Sequence, residues 1–205
     1  MREIEKTTLN SILSAAKAEF LEKGFKSASL RNIVKTAGVT TGAFYGYYKS
    51  KEELFDGLVS KHYSVFMDMF TGTQEKFAAL SPIKQKNGMG VIAAEKMQEM
   101  IEYVYAHKDV FKLLLTCSEG TKYENIIHDM VEIEAKATRR FAKVMESLGH
   151  PKYSVDTTLE HILISGMFSA FFEVIIHDIP YENAKEYLQE LAEFHIAGWK
   201  KIMGF

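Results

Sequence analysis

In "AGVTTGAFYGYYKSKEEL", residues 37–54, the hydroxyls of Thr40, Thr41, Tyr45 and Tyr47 crowd around two residues without side chains, Gly42 and Gly46, with Lys49 and Lys51 close behind. Hydroxyls, backbone amides and cations at this density suit the holding of phosphate oxygens. Bond breaking needs more: a nucleophile requires a base and a third group to orient it. No such set is present. The chain has no H-E-x-x-H, no G-x-S-x-G and no glycine-rich phosphate loop. Cys117, in "LLTCSEG", has no base beside it in sequence, and the seven histidines are scattered one per helix or loop. Neither a catalytic thiol nor a metal centre is expected from such a pattern. No cofactor is implied, and the chain is not expected to be an enzyme.

Charge supports a polyanion as the partner. The formal net charge is -2, yet residues 1–62 hold ten Lys/Arg against seven Asp/Glu, and the remaining 143 hold 15 against 20. Within residues 17–51 the count is seven basic to two acidic. Such a split suggests that the N-terminal part meets a polyanion while the rest does something else. The first ten residues are charged and lack the apolar core of a signal peptide, and a single cysteine suits a reducing compartment, so a cytoplasmic protein is expected. The longest apolar run, "ILISGMFSAFF" at 162–172, is short for a bilayer and is followed by Glu173, so it reads as a buried helix and no membrane partner is expected.

The elements that must position the hydroxyls are helices. Three prolines in 205 residues and a 3.6-residue apolar period throughout predict an all-α chain. Leu9, Ile12, Leu13, Ala16 and Phe20 form the stripe of a first helix over about 7–23, which Gly24 ends. Ser29 caps a second helix whose Leu30, Ile33, Val34 and Ala37 share a face, and Gly38 ends it. Thr40 or Thr41 caps a third, reaching about Tyr48. Ser50 caps a fourth, with Glu52 and Glu53 in its first turn. Two short helices joined by Ala37-Gly38-Val39 have the spacing of a helix-turn-helix. On the third helix Phe44 and Tyr48 form one ridge for the core. The opposite side carries Gly42, Ala43 and Gly46, flanked by Thr41, Tyr45 and Tyr47. Glycine in a helix interior costs about 1 kcal/mol against alanine, so an exposed glycine face points to close approach by something outside.

With these residues in place, the stretch "EKGFKSASLRNIVKTAGVTTGAFYGYYKSKEELF" and the helix before it resemble the TetR family of bacterial transcriptional regulators, over roughly residues 7–58. The resemblance implies a three-helix DNA-binding domain at 1–50 and a larger helical ligand-binding and dimerisation domain at 51–205. It implies a homodimer on a near-palindromic DNA operator, a repressor released by a small, mainly apolar or aromatic effector. Carried over by position, Thr40, Thr41, Gly42, Ala43, Tyr45 and Tyr47 would face DNA, and Ser29, Arg31 and Lys51 would clamp its backbone. This chain departs from the family where many members have lysine at the position of Thr41 and histidine at that of Tyr47.

Beyond about Lys61 the sequence offers stripes without motifs. Helices are expected near 52–70, 88–107, 109–117, 121–148, 155–178 and 181–203, with loops or frayed helix ends at Thr71–Thr73 and Asn87–Gly90. Adaptable apolar side chains on these stripes are candidates for an effector site. They are Phe66 on the fourth helix; Met97, Met100, Ile101 and Val104 on the next; Phe111 and Leu114; then Met130, Ile133 and Phe141. Tyr103, His107, Cys117, His128 and Glu134 are polar groups near them. Ser165, Gly166, Ser169 and Ala170, beside Phe172, form a small-residue strip suited to close helix approach. Leu191, Phe194 and Gly198 lie on one side of the last helix. Together they suit a dimer interface, and a core within one subunit would give the same pattern. A ligand-insensitive DNA-binding regulator, or a helical module that binds protein or carries a ligand without DNA, stays open beside the ligand-responsive regulator.

Overall fold

The computed structural model describes residues 3–204; side-chain descriptions exclude residues 3–6 and 93. Among the described residues the chain is helical without strands: α1 Glu3–Ser27, α2 Leu30–Thr36, α3 Thr41–Tyr45, α4 Lys51–Ala78, α5 Pro82–Ala106, α6 Lys108–Thr116, α7 Ile126–Ser147, α8 Thr157–Ile176 and α9 Tyr181–Met203. They make two compact units. The first takes Met1–Val65 and His107–Glu124, the second Phe66–Ala106 and Asn125–Phe205.

In the first unit Ile12, Ala16 and Phe20 of α1 are fully buried, as are Ile33, Phe44, Leu54 and Val59. The Phe20 and Phe55 rings meet edge to face at 5.1 Å, and Phe25 joins them at 5.9 and 5.4 Å. Gly24, at φ 71 and ψ 163, breaks the helical path inside α1, as its place after Lys23 predicted. Helix α6 belongs to this unit and packs on α1. The Phe25 N–H donates to the Cys117 carbonyl at 2.9 Å, and Lys17–Asp109 and Lys26–Glu119 ion pairs, each 2.6 Å, flank that bond. Phe111 and Leu114, expected near an effector, are instead core of this unit. Cys117 is a buried free thiol.

In the second unit α7 packs on α8, and α5 on α9 and α7. Phe66 meets Phe172 at 5.8 Å and Phe70 meets Phe168 edge-on at 5.4 Å. Both expected loops or frayed ends lie inside helices. Thr71 and Thr73 donate their hydroxyls to the carbonyls of Met67 and Met69, each at 2.8 Å, within a continuous α4. The break comes at 79–81, where Pro82 opens α5. Gly90 lies inside α5 because a Cβ there would stand 3.3 Å from the Ile196 side chain on α9. Residues 121–125, expected in a helix, precede α7 as turns.

Helix α8 outgrows its apolar run. At 20 residues it is long and apolar enough to cross a membrane by length and composition. It also carries a buried carboxylate, Glu160, which accepts from Arg139 Nε at 2.7 Å and from the Tyr153 hydroxyl at 2.9 Å. Packing against α7 and α9 gives this helix the role of a core element.

Candidate nucleic-acid interface and ligand cavity

The α2–turn–α3 segment is held by side chains that answer its backbone. Glu19 on α1 accepts from the Ser29 N–H at 3.0 Å, and that bond, together with Lys23 and Asn32, holds its carboxyl below the usual range. Ser29 Oγ in turn accepts from the Asn32 N–H at 3.4 Å, capping α2. Gly38 turns the chain at φ 67, a conformation that disfavours a side chain. Thr40 Oγ1 accepts from the Ala43 N–H at 3.1 Å and caps α3. Helix α3 ends at Tyr45, three residues short of the expected end. Gly46 is its C-cap, and the Tyr47 and Tyr48 N–H groups return to the Phe44 carbonyl at 2.9 and 3.1 Å. Tyr48 then folds over α4: a Cβ on Gly57 would stand 2.9 Å from its ring. Burial, and next the Glu53 charge, push the Tyr48 phenol up.

What remains outward is the surface expected to meet DNA. Arg31, Thr40, Thr41, Gly42 and Ala43 are exposed, Tyr45 is 53% exposed, and Ser29 and Tyr47 are half-buried. A Cβ on Gly42 would find nothing nearer than Thr40 Oγ1 at 4.0 Å. No internal contact therefore requires a glycine there. Gly46 differs, since a Cβ would lie 3.2 Å from the Ala43 carbonyl. Lys51 also differs from expectation. Its ammonium donates to the carbonyls of Phe25 at 2.7 Å and of Lys26 and Ala28 at 3.2 Å each. An ammonium has three donors, and all three are engaged inside the chain rather than at a phosphate.

The second unit contains a cavity of about 210 Å³. Of the side chains expected to meet an effector, Met97, Met100, Met130 and Phe141 line it. Phe66, Ile101 and Val104 are buried elsewhere in the same unit, and Ile133 is half-buried off the wall. Sequence reasoning passed over Phe70, Phe77, Phe168, Phe171, His195 and Trp199 as lining residues. Only the facing of several helices together could have found them. Of the polar candidates Glu134 lines the cavity, while His107 stacks near His62 at 4.0 Å in the first unit. The Glu134 carboxylate accepts from Gln74 Nε2 at 2.5 Å. Burial pushes its pKa up to about 7, against the lowering effect of bonds from Gln74 and Thr138.

The residues expected to dimerise divide in two. Phe172 is fully buried against its own core, whereas Phe194 is 73% exposed and Gly166, Ser169 and Gly198 are exposed. Ser165, Ala170 and Leu191 are half-buried. Exposed Leu159 and Ile162 extend the Gly166–Ser169 stripe of α8 at helical spacing.

Residues 12–58 match the family described as bacterial regulatory proteins, tetR family. The transcriptional repressor KstR2 of Mycolicibacterium smegmatis is 25% identical over 107 residues, 51% of this chain and 50% of its own length. The repressor NemR of Escherichia coli is 31% identical over 67 residues, 33% of this chain and 34% of its own. The chain thus spans half or less of these curated relatives. A crystal structure of a transcriptional regulator from Aquifex aeolicus aligns over 91% of this chain and 98% of its own, at 27% identity and a TM-score of 0.52. The family is one of regulators rather than enzymes. Residues 12–58 thus carry the helix-turn-helix segment of the tetR family of bacterial regulatory proteins, and over nine-tenths of its length the chain is similar in fold to a transcriptional regulator.

Proposed function

We propose that the protein is a ligand-responsive repressor that binds a near-palindromic operator as a homodimer in the cytoplasm and is released by a small, mainly apolar molecule. The observation that carries the reading is the outward face of α3, where Gly42 is exposed with open space around it and hydroxyl residues flank it. A helix thinned in this way can lie close against a duplex, with its hydroxyls on phosphates or base edges. Thr40, Thr41, Ala43, Tyr45 and Tyr47 are assigned to DNA, with Ser29 and Arg31 at the start of α2 on its backbone. The residues assigned to DNA lie within 1–50 and those assigned to ligand and dimer within 51–205, although the start of α4 and helix α6 belong to the first unit.

The dimer is assigned to the exposed stripes of α8 and α9, Leu159, Ile162, Gly166 and Ser169 with Phe194 and Gly198. Half-sites would lie about one helical turn apart or a small multiple, roughly 34–36 Å per turn. Helix α4 carries the coupling. Its Leu54, Phe55 and Val59 are core of the first unit, and its Phe70, Thr73, Gln74 and Phe77 line the cavity. Ligand must favour the form that does not bind DNA, by about 1.4 kcal/mol for each tenfold loss of operator affinity.

Selection of random duplex DNA on the purified protein at two salt concentrations tests the reading. One palindromic motif with affinity falling steeply as salt rises is the expected result. No enriched sequence, from protein shown to be folded and dimeric, would overturn operator binding by the chain alone.

A further inference from the structure

The cavity in the second unit is aromatic and carries a carboxyl whose own hydrogen-bond partners are neutral. Phe70, Phe77, Phe141, Phe168, Phe171 and Trp199 supply the rings. The hydrogen-bond partners of Glu134, the Gln74 amide and the Thr138 hydroxyl, are both neutral. The two other titratable groups on the walls do not offset it. Lys96 on α5 is ion-paired with Glu99 at 2.5 Å, and burial holds His195 on α9 toward its neutral form. The side chains that α8 adds, Met167, Phe168 and Phe171, carry no charge. An anion would be repelled by the Glu134 carboxylate, and the one lysine on the walls, Lys96, already answers Glu99. A cation gains from the carboxylate and from the ring faces together.

We propose that this cavity selects a lipophilic cation, an amine with an alkyl or aromatic body whose ammonium sits on the Glu134 carboxylate with the aromatic rings around it. The inference rests on the reading of the cavity as the effector site and names the class of molecule it takes. Gln74 donates to the same carboxylate from α4, so an ammonium that takes over the Glu134 oxygen acts directly on the helix assigned to coupling. Because burial pushes the Glu134 pKa up to about 7, binding of the cation near that pH expels part of its proton to solvent.

The test compares three probes with the same decyl chain: decylammonium, decanol and decanoate. Trp199 is the one tryptophan in the sequence and lines the cavity, so its fluorescence reports occupancy. Decylammonium is expected to bind the full chain at least tenfold more tightly than decanol, and decanoate more weakly than either. Glu134→Gln should abolish the preference for the amine while keeping decanol affinity. Calorimetry in two buffers of different ionisation heat should show the released proton. Decanol or decanoate binding as tightly as the amine would overturn the cation inference and leave the effector site standing. Binding by none of the three would overturn both. The comparison of head groups on the unmodified protein decides the matter even if the variant does not fold.

Discussion

The Lys51 ammonium sits 2.7 Å from the Phe25 carbonyl oxygen and 4.6 Å from the centroid of the Phe25 ring. Two further carbonyls, of Lys26 and Ala28, complete its shell. The first turn of α4 is thereby tied to the end of α1 through one charge. Hydrogen bonds to a charged group are each worth about 1.5–3 kcal/mol when buried, and less here because the lysine keeps some solvent. Lys51→Met is expected to lower the unfolding free energy by about 1–3 kcal/mol, measured by urea denaturation. Operator affinity per folded molecule should fall less than tenfold. Unchanged stability with a large loss of affinity would return Lys51 to the phosphate backbone.

Gly42 makes the opposite case. Open space surrounds its missing side chain, and alanine favours a helix over glycine by up to about 1 kcal/mol. Gly42→Ala should therefore leave the melting temperature unchanged or slightly raised. If α3 lies against DNA, the same methyl weakens operator binding, and Gly42→Glu, which adds bulk and negative charge, abolishes it with the folded state intact. Thermal melting beside operator titration reads both quantities. Full operator affinity in Gly42→Glu would take α3 out of the interface.

The contrast between these two residues shows what a sequence makes legible. Gly42 could be read locally, because the Ser29 and Thr40 caps, the Gly38 turn and the buried Ile33 and Phe44 all lie within a few residues of it. The inward turn of Lys51 depends on carbonyls 23 to 26 positions earlier, and no local pattern announces that. The cavity is harder still. Met97 and Met100 line it while Ile101 and Val104 are buried away from it on the same helix, and helical spacing alone does not say which stripe meets a void. Helix α6 escaped for the same reason: its apolar face is plain, but its return to the first unit is a long-range choice.

Glu134 gives a pH dependence with a definite sign. Its folded pKa of about 7 stands above the ordinary value of 4.5, so between those values the folded chain binds the extra proton. Stability then falls as pH rises through that window and reaches its full loss above about 7. Glu134→Gln keeps a neutral hydrogen-bonding group and removes the titration. It is expected to match the parent near pH 4.5 and to exceed it at pH 8 by roughly 2–3 kcal/mol. Urea unfolding of both proteins at the two values measures this. A variant that is no more stable at pH 8 would mean that the carboxyl is not desolvated.

Arg139 and Glu160 set up a test of the second unit. Glu160 is 1% exposed at the start of α8, and Arg139 on α7 is half-exposed. Both Arg139 and the Tyr153 hydroxyl donate to the carboxylate, and Tyr153 in turn has its phenol pushed up by burial and by that charge. Removing the arginine leaves a buried carboxylate with a single neutral partner, whereas removing both charges leaves nothing stranded. Arg139→Met is expected to cost about 2–3 kcal/mol, below the cost for a wholly buried pair because solvent reaches the guanidinium. The double variant Arg139→Met/Glu160→Met should recover at least half of that loss, measured by denaturant unfolding in a double-mutant cycle. Losses that simply add would show that the pair acts as two independent surface groups, and would leave the α7–α8 contact to apolar packing alone.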